Sequence, residues 1–186
     1  MFKAKFLLGD MIFNNRRTRA DVLKSSGRLI VDLKQLHKRT YYYRVRLEES
    51  MSKIKSRLEE EDNVAIKKSL EDNLKTFTKI YNAVVGIEIT LEVLITRLET
   101  LGLINITSRE ILMLKEVLKE VMPKEGLPSD LTLIIEDLID RANDLLDFMP
   151  VNNEIKVMAS NEAKNIIKEA ELIAKQRSEE TISLGV

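Results

Sequence analysis

The chain has 186 residues, enough for one domain with a real core, and it contains three prolines, six glycines, no cysteine and no tryptophan. That composition, rich in Leu, Ile, Glu and Lys, points to a helical protein and excludes a disulfide framework, a zinc knuckle and a thiol nucleophile. The 30 basic and 30 acidic side chains cancel, yet residues 1–58 hold 15 basic against 5 acidic and residues 59–186 hold 15 against 25. A basic front and an acidic back suit an anionic partner, a head-to-tail partner of the same chain, or both.

The first ten residues resemble a signal peptide only superficially, because the apolar run Phe6–Leu8 is followed at once by Asp10. Residues 1–14 instead gather Phe2, Phe6, Leu7, Ile12 and Phe13, with Lys3 and Lys5 among them and Arg16, Arg17 and Arg19 behind. As a helix this segment has the design of a short amphipathic membrane anchor. The competing reading is a staple folded back onto the following helix, or a frayed terminus.

From Arg16 to Leu58 there is no proline and one glycine, and a seam runs Val22, Ser26, Leu29, Leu33, Leu36, Thr40, Tyr43, Leu47, Met51, Ile54, Leu58. Its steps of three and four are coiled-coil spacing with one stutter at Leu47–Met51. The charged break Glu59–Asn63 precedes a second seam of the same kind, from Ile66 through Tyr81, Leu91 and Leu98 to Leu101. Two long helices joined by a short polar turn predict an αα-hairpin over about 16–101. Val85, Ile89, Val93 and Ile95 lie off the main seam, so the second helix must meet something besides the first, either a later helix or another subunit.

Gly102 suits a helix end, and Thr107 or Ser108 caps a third helix that Pro123 stops. Ser129-Asp130 is expected to cap a fourth, with Leu131, Ile134, Ile135, Leu138, Ile139, Ala142, Leu145 and Leu146 on one stripe. After Pro150–Asn153 a last amphipathic segment covers about 160–177. The expected fold is all-α, a coiled-coil-like hairpin followed by three shorter amphipathic helices. The joints lie near Gly102–Asn105, Pro123–Pro128 and Pro150–Asn153. The division is 1–14 anchor, 15–148 helical core with its shorter helices over about 107–148, and 149–186 linker with a regulatory helix.

No phosphate-binding glycine loop is present, the one histidine, His37, has no partner of metal-ligand spacing, and no nucleophile is paired with a base. The Glu59–Asp62 cluster reads as a solvated turn, and Asn105-Ile106-Thr107 as a chance sequon. The expectation is a protein that is not an enzyme and has no cofactor and no metal. Uncharged stretches, the longest being Ile80–Ile87 and Thr100–Ser108, fall short of the ~18 residues of a membrane span.

Along the first helix Arg17, Lys24, Lys38, Arg39, Arg46 and Lys53 fall roughly opposite the seam. Such a stripe attracts anionic lipid at ~1 kcal/mol per basic residue near the leaflet. The same stripe suits nucleic acid; the Phe/Leu cluster at the N-terminus favours lipid. Tyr41-Tyr42-Tyr43 puts one ring on the seam and two beside the basic face.

Ile80-Tyr81-Asn82-Ala83 through Leu91-Glu92-Val93-Leu94-Ile95-Thr96-Arg97-Leu98-Glu99-Thr100-Leu101 resembles the second-helix signature of the archaeal ESCRT-III-like cell-division proteins, the B paralogues of the Cdv system. Val121-Met122-Pro123, followed after a gap by Ile134–Leu146, is similar to their downstream part, and the resemblance covers about 10–148. It implies a cytoplasmic protein, peripheral on the inner membrane face at the division site. There it would polymerise with itself and with paralogous subunits on anionic membrane, constrict or sever the neck, and be remodelled by an AAA ATPase. Val85, Ile89, Val93 and Ile95 would serve self-assembly. Membrane contact would fall to residues 1–14, Arg16, Arg17 and Arg19, with Lys24, Lys38, Arg39 and Arg46. Ile166, Ala170, Ile173 and Lys175 form a partial version of the family's ATPase-docking motif, with Glu169 standing where an Arg is expected; the alternative is an autoinhibitory or plain amphipathic tail. Two rivals remain at this stage: a helical nucleic-acid-binding or coiled-coil scaffold protein using the basic stripe, and a bacterial-type membrane-stress scaffold.

Overall fold

The computed structural model describes residues 19–102, 106–122 and 127–183, with side chains through Arg177. Five helices follow one another: α1 (Arg19–Glu60), α2 (Val64–Leu101), α3 (Ser108–Val121), α4 (Ser129–Leu146) and α5 (Asn153–Ser183). At ~1.5 Å per residue α1 is about 63 Å long, and it is far too long for the other helices to surround.

The chain ends each long helix with local chemistry. Asn63 caps α2 through its side-chain oxygen, which accepts from the Ala65 and Ile66 amides at 3.0 and 3.4 Å. Glu61 accepts the Asn63 amide at 3.0 Å, so the acidic cluster is a turn built by its own side chains. Gly102 closes α2 at φ +72°, a left-handed backbone that strains any other residue, and its amide returns to the Glu99 carbonyl. Thr107 is the N-cap of α3, and Glu110 completes the capping box by accepting the Thr107 amide at 2.9 Å.

Two boundaries depart from expectation. Ser129 and Asp130 do not cap α4: Pro128 occupies that position with no side-chain cap, and the Asp130 carboxylate instead accepts the Tyr43 hydroxyl at 2.5 Å. The last helix is longer than the 160–177 segment, 31 residues from Asn153. Asn152 accepts the Ile155 amide at 2.8 Å and starts the helix seven residues early. Ile155 and Ala159 continue the Ala163, Ile166 and Ala170 stripe at helical spacing, although the exposed Val157 and Met158 interrupt the pattern in these turns.

α1 and α2 form the hairpin, antiparallel and paired by Lys34–Glu99, by Arg44–Glu88 at 2.8 Å and by the Tyr81 hydroxyl on Glu48 at 2.9 Å. α4 lies antiparallel along the first half of α1, Asp130 against Tyr43 at one end and Arg141 against Asp32 at 2.7 Å further on. α5 packs on α2 and α3. The core sits at the open end of the hairpin, where Leu29, Leu33, Leu36, Leu91, Leu94 and Leu98 meet Ile111, Leu114 and Leu118 of α3. Beyond Tyr43, among the described residues, only the two long helices remain, and Leu47, Met51, Ile54 and Leu58 are half-buried. The hairpin tip is a two-helix arm.

The two later helices are held unequally. α4 buries Leu131, Ile135, Leu138 and Leu145 almost completely, each worth ~1.5–3 kcal/mol of apolar transfer. α5 buries Ala159, Ala163 and Ala170 and one large side chain, Ile166. A methyl contributes far less, at ~0.8 kcal/mol per carbon. α5 therefore buries fewer large apolar side chains than α4, and polar ties hold more of its contact with α2 and α3.

Candidate assembly and docking surfaces

The side of α2 facing away from the hairpin seam carries Val85, Ile89 and Val93. At ~100° per residue they fall within about 80° of one another, and α5 packs beside the Val93 end. Ile89 is only 1% exposed, and Val85 and Val93 are half-buried. A groove of about 580 Å³ runs between the two helices, lined by Val93, Thr96, Arg97, Glu162, Glu169 and Ile173. Ile95 does not belong to this surface. It lies two positions from Val93 on the far side of α2, where it joins Leu91, Leu94 and Leu98 in the hairpin core.

One carboxylate clamps α5 down. Glu162 accepts from Arg109 Nη2 at 2.6 Å and Nε at 3.0 Å, and from Arg97 Nη1 at 3.1 Å. It thereby ties α5 to α3 and α2 together. The Glu162 hydrogen bond, reinforced by its charge, raises the Arg109 guanidinium above its ordinary pKa against the opposing effect of burial. A second tie, Arg177 to Glu92 at 3.0 Å, lies one turn from Ile89. Sequence reasoning missed Glu162, Arg97 and Arg109 as a set, because 53 to 65 residues separate the partners and no local spacing signals the pairing.

The tail residues expected to dock an ATPase are mostly inward. Ile166 and Ala170 are buried, Ile173 is half-buried, and Lys175 is exposed. In this arrangement Ile166 and Ala170 face the helical core and Ile173 lines the groove beside α2.

Lys24, Lys38, Arg39 and Arg46 are exposed on the outer side of α1 and make no ion pair among the described residues. Arg19 is exposed at the start of α1. Lys38 sits 6.0 Å from the Tyr42 ring and Arg44 5.0 Å from Tyr41, with the two rings edge-on at 6.0 Å. Arg44 is not part of the free stripe. Burial works against its charge, but Glu48 and Glu88 outweigh burial and hold its pKa above the ordinary value. Tyr43 belongs to the core side, with its hydroxyl on Asp130. Phe2, Lys3, Lys5, Phe6, Leu7, Ile12, Phe13, Arg16 and Arg17 lie outside the described residues.

No described helix is long and apolar enough to cross a membrane. Comparison with family models, with curated proteins and with solved structures finds no match for the chain.

Proposed function

We propose that the chain is a membrane-associated, ESCRT-III-like polymer subunit that remodels, constricts or severs membrane during archaeal cell division. The observation that supports this most is the reserve apolar side of α2. Val93 of that side lines the groove beside a tail helix that buries three alanines and one isoleucine and is tied down by Glu162 and by Arg177–Glu92. An apolar side kept beside a cover with few large apolar anchors suits a subunit that is stored closed and joined to copies or paralogues once the cover lifts.

Release of α5 would also turn Ile166, Ala170 and Ile173 outward, giving an AAA ATPase a handle on the assembled form alone. Residues 1–14 supply apolar attachment to the inner, cytoplasmic membrane face, and the α1 stripe adds electrostatic attraction to an anionic surface once the acidic side of α4 no longer lies beside it. Linked copies then add avidity. The role is mechanical, with no reaction catalysed by the chain.

The test is co-sedimentation with anionic and neutral vesicles at low and high salt, comparing the full chain with one lacking residues 1–14. Salt-sensitive pelleting on anionic vesicles, weakened by the deletion, is the expected result. Absence of pelleting in every condition would overturn the membrane reading, and duplex nucleic-acid binding that survives the deletion would replace it.

A further inference from the structure

α1 and α4 present two stripes of opposite charge side by side. On α1 the exposed outer residues between 24 and 46 include Lys24, Arg28, Lys38, Arg39 and Arg46, flanking the exposed Val31 and Tyr42. On α4, the adjacent Glu136 and Asp137 are followed by Asp140, Asp144 and Asp147 at steps of three or four along the exposed side, with Arg141, paired to Asp137 at 2.8 Å, the one cation among them. Leu133, 63% exposed, stands in their midst.

The contacts fix how these stripes are related. α4 meets α1 through Asp32–Arg141 and Tyr43–Asp130, and a cleft of about 170 Å³ at their junction is lined by Arg28, Asp32, Arg141 and Asp144. At ~100° per residue, each exposed stripe lies roughly 80–100° around its helix from that line of contact. Because the helices are antiparallel, both stripes turn to the same side of the molecule. The result is one face, basic along one half and acidic along the other.

An anionic surface fits this face poorly. Lipid headgroups or a nucleic-acid backbone brought onto α1 would also meet five carboxylates of α4, and like charges at that distance repel. A surface with adjacent stripes of opposite sign is instead complementary to itself. A two-fold axis along the helices sets the basic stripe of each copy over the acidic stripe of the other. Asp144 then comes over Arg28 of the second copy, and Glu136 over its Lys38 and Arg39. The exposed Val31, Tyr42 and Leu133 supply an apolar centre.

We propose that the α1/α4 face pairs with a second copy of this chain in an isologous, salt-sensitive dimer. Such a pair closes on itself, so it is a resting form distinct from the open assembly proposed through α2. It stands on this face alone and not on the membrane reading.

The test uses the full chain without lipid, by analytical ultracentrifugation at low and high salt. One variant carries Lys38→Glu and Arg39→Glu; the other carries Glu136→Lys and Asp140→Lys. All four side chains are exposed and make no ion pair among the described residues, and circular dichroism checks the fold of each variant. Each reversal acts twice in a two-fold contact, so either variant alone should associate roughly 30- to 100-fold more weakly. An equimolar mixture restores attraction at both halves and should recover association to within about threefold of the parent. Should the double variants fail to fold, Arg39→Glu and Asp140→Lys apply the same logic singly. A parent that stays monomeric at low salt overturns the proposal. So do variants that associate as well as the parent, and a mixture that fails to recover.

Discussion

Replacing Glu162 with Gln separates closure of the tail helix from global stability. The carboxylate makes three charge-assisted contacts, two to Arg109 and one to Arg97, and its side chain is 18% exposed. Buried contacts of this kind are worth ~1.5–3 kcal/mol each. Arg97 and Arg109 are 38% and 39% exposed, however, so solvent screening brings the contribution nearer to that of surface pairs, at ~0.2–1 kcal/mol. Gln keeps an acceptor and loses the charge, and the sum comes to about 1.5 kcal/mol. If α5 opens without unfolding the rest, that loss raises its open population roughly tenfold. Hydrogen exchange measured by mass spectrometry reads this directly. Amides of α5 should exchange about tenfold faster while those of α1 and α2 around Leu33 and Leu94 stay unchanged. Equal acceleration in all helices, or none in α5, would refute the claim that Glu162 secures a separately detachable element.

Other substitutions probe the remaining contacts. Ser26 is buried at 1% exposure and its hydroxyl has no hydrogen-bond partner among the described residues, so Ser26→Ala should stabilise by about 1 kcal/mol and raise Tm in a thermal melt. Ile135→Ala should cost about 2–5 kcal/mol of global stability in denaturant unfolding. Ile166→Ala should mainly speed exchange in α5, since that helix has one large buried anchor. The Asp130 hydrogen bond, then burial and the Asp130 charge, raise the Tyr43 hydroxyl above its ordinary 10.0. The folded chain thus holds that proton more tightly than the unfolded one. The contribution is complete below pH 10 and lost as pH rises through the raised value. Tyr43→Phe should flatten that alkaline loss in a pH series of denaturant melts, at a cost of about 1 kcal/mol at neutral pH.

Much of the architecture is legible in residue order because its cause is local. The three-and-four spacing from Val22 to Leu58, the Glu59–Asn63 break, the Gly102 stop and the Thr107 cap each act within a turn or two, and all have structural counterparts. What was illegible depends on distant partners. Asp130 looked like a helix cap by residue type, yet its carboxylate is taken by Tyr43, 87 positions away. Ile95 lies off the main seam in sequence, as Val85, Ile89 and Val93 do, yet a separation of two residues from Val93 puts it on the opposite side of the helix, in the hairpin core. The Glu162 clamp and the side-by-side charge stripes exist only once α3, α4 and α5 fold back. The acidic stripe itself could have been found, since its members from Glu136 to Asp147 recur at helical spacing.

The central claim is that the outer side of α2 joins subunits on membrane once α5 lifts. Electron microscopy of the full chain on anionic vesicles, with Val93→Asp beside it, tests this most directly. Val93 is half-buried, so a carboxylate there is tolerable in the closed chain but costly in a packed contact between copies. The expected result is filaments or tubulated vesicles for the parent and bound but unassembled Val93→Asp. Filaments that form equally with Val93→Asp, or a parent that coats vesicles without any ordered assembly, would contradict the account.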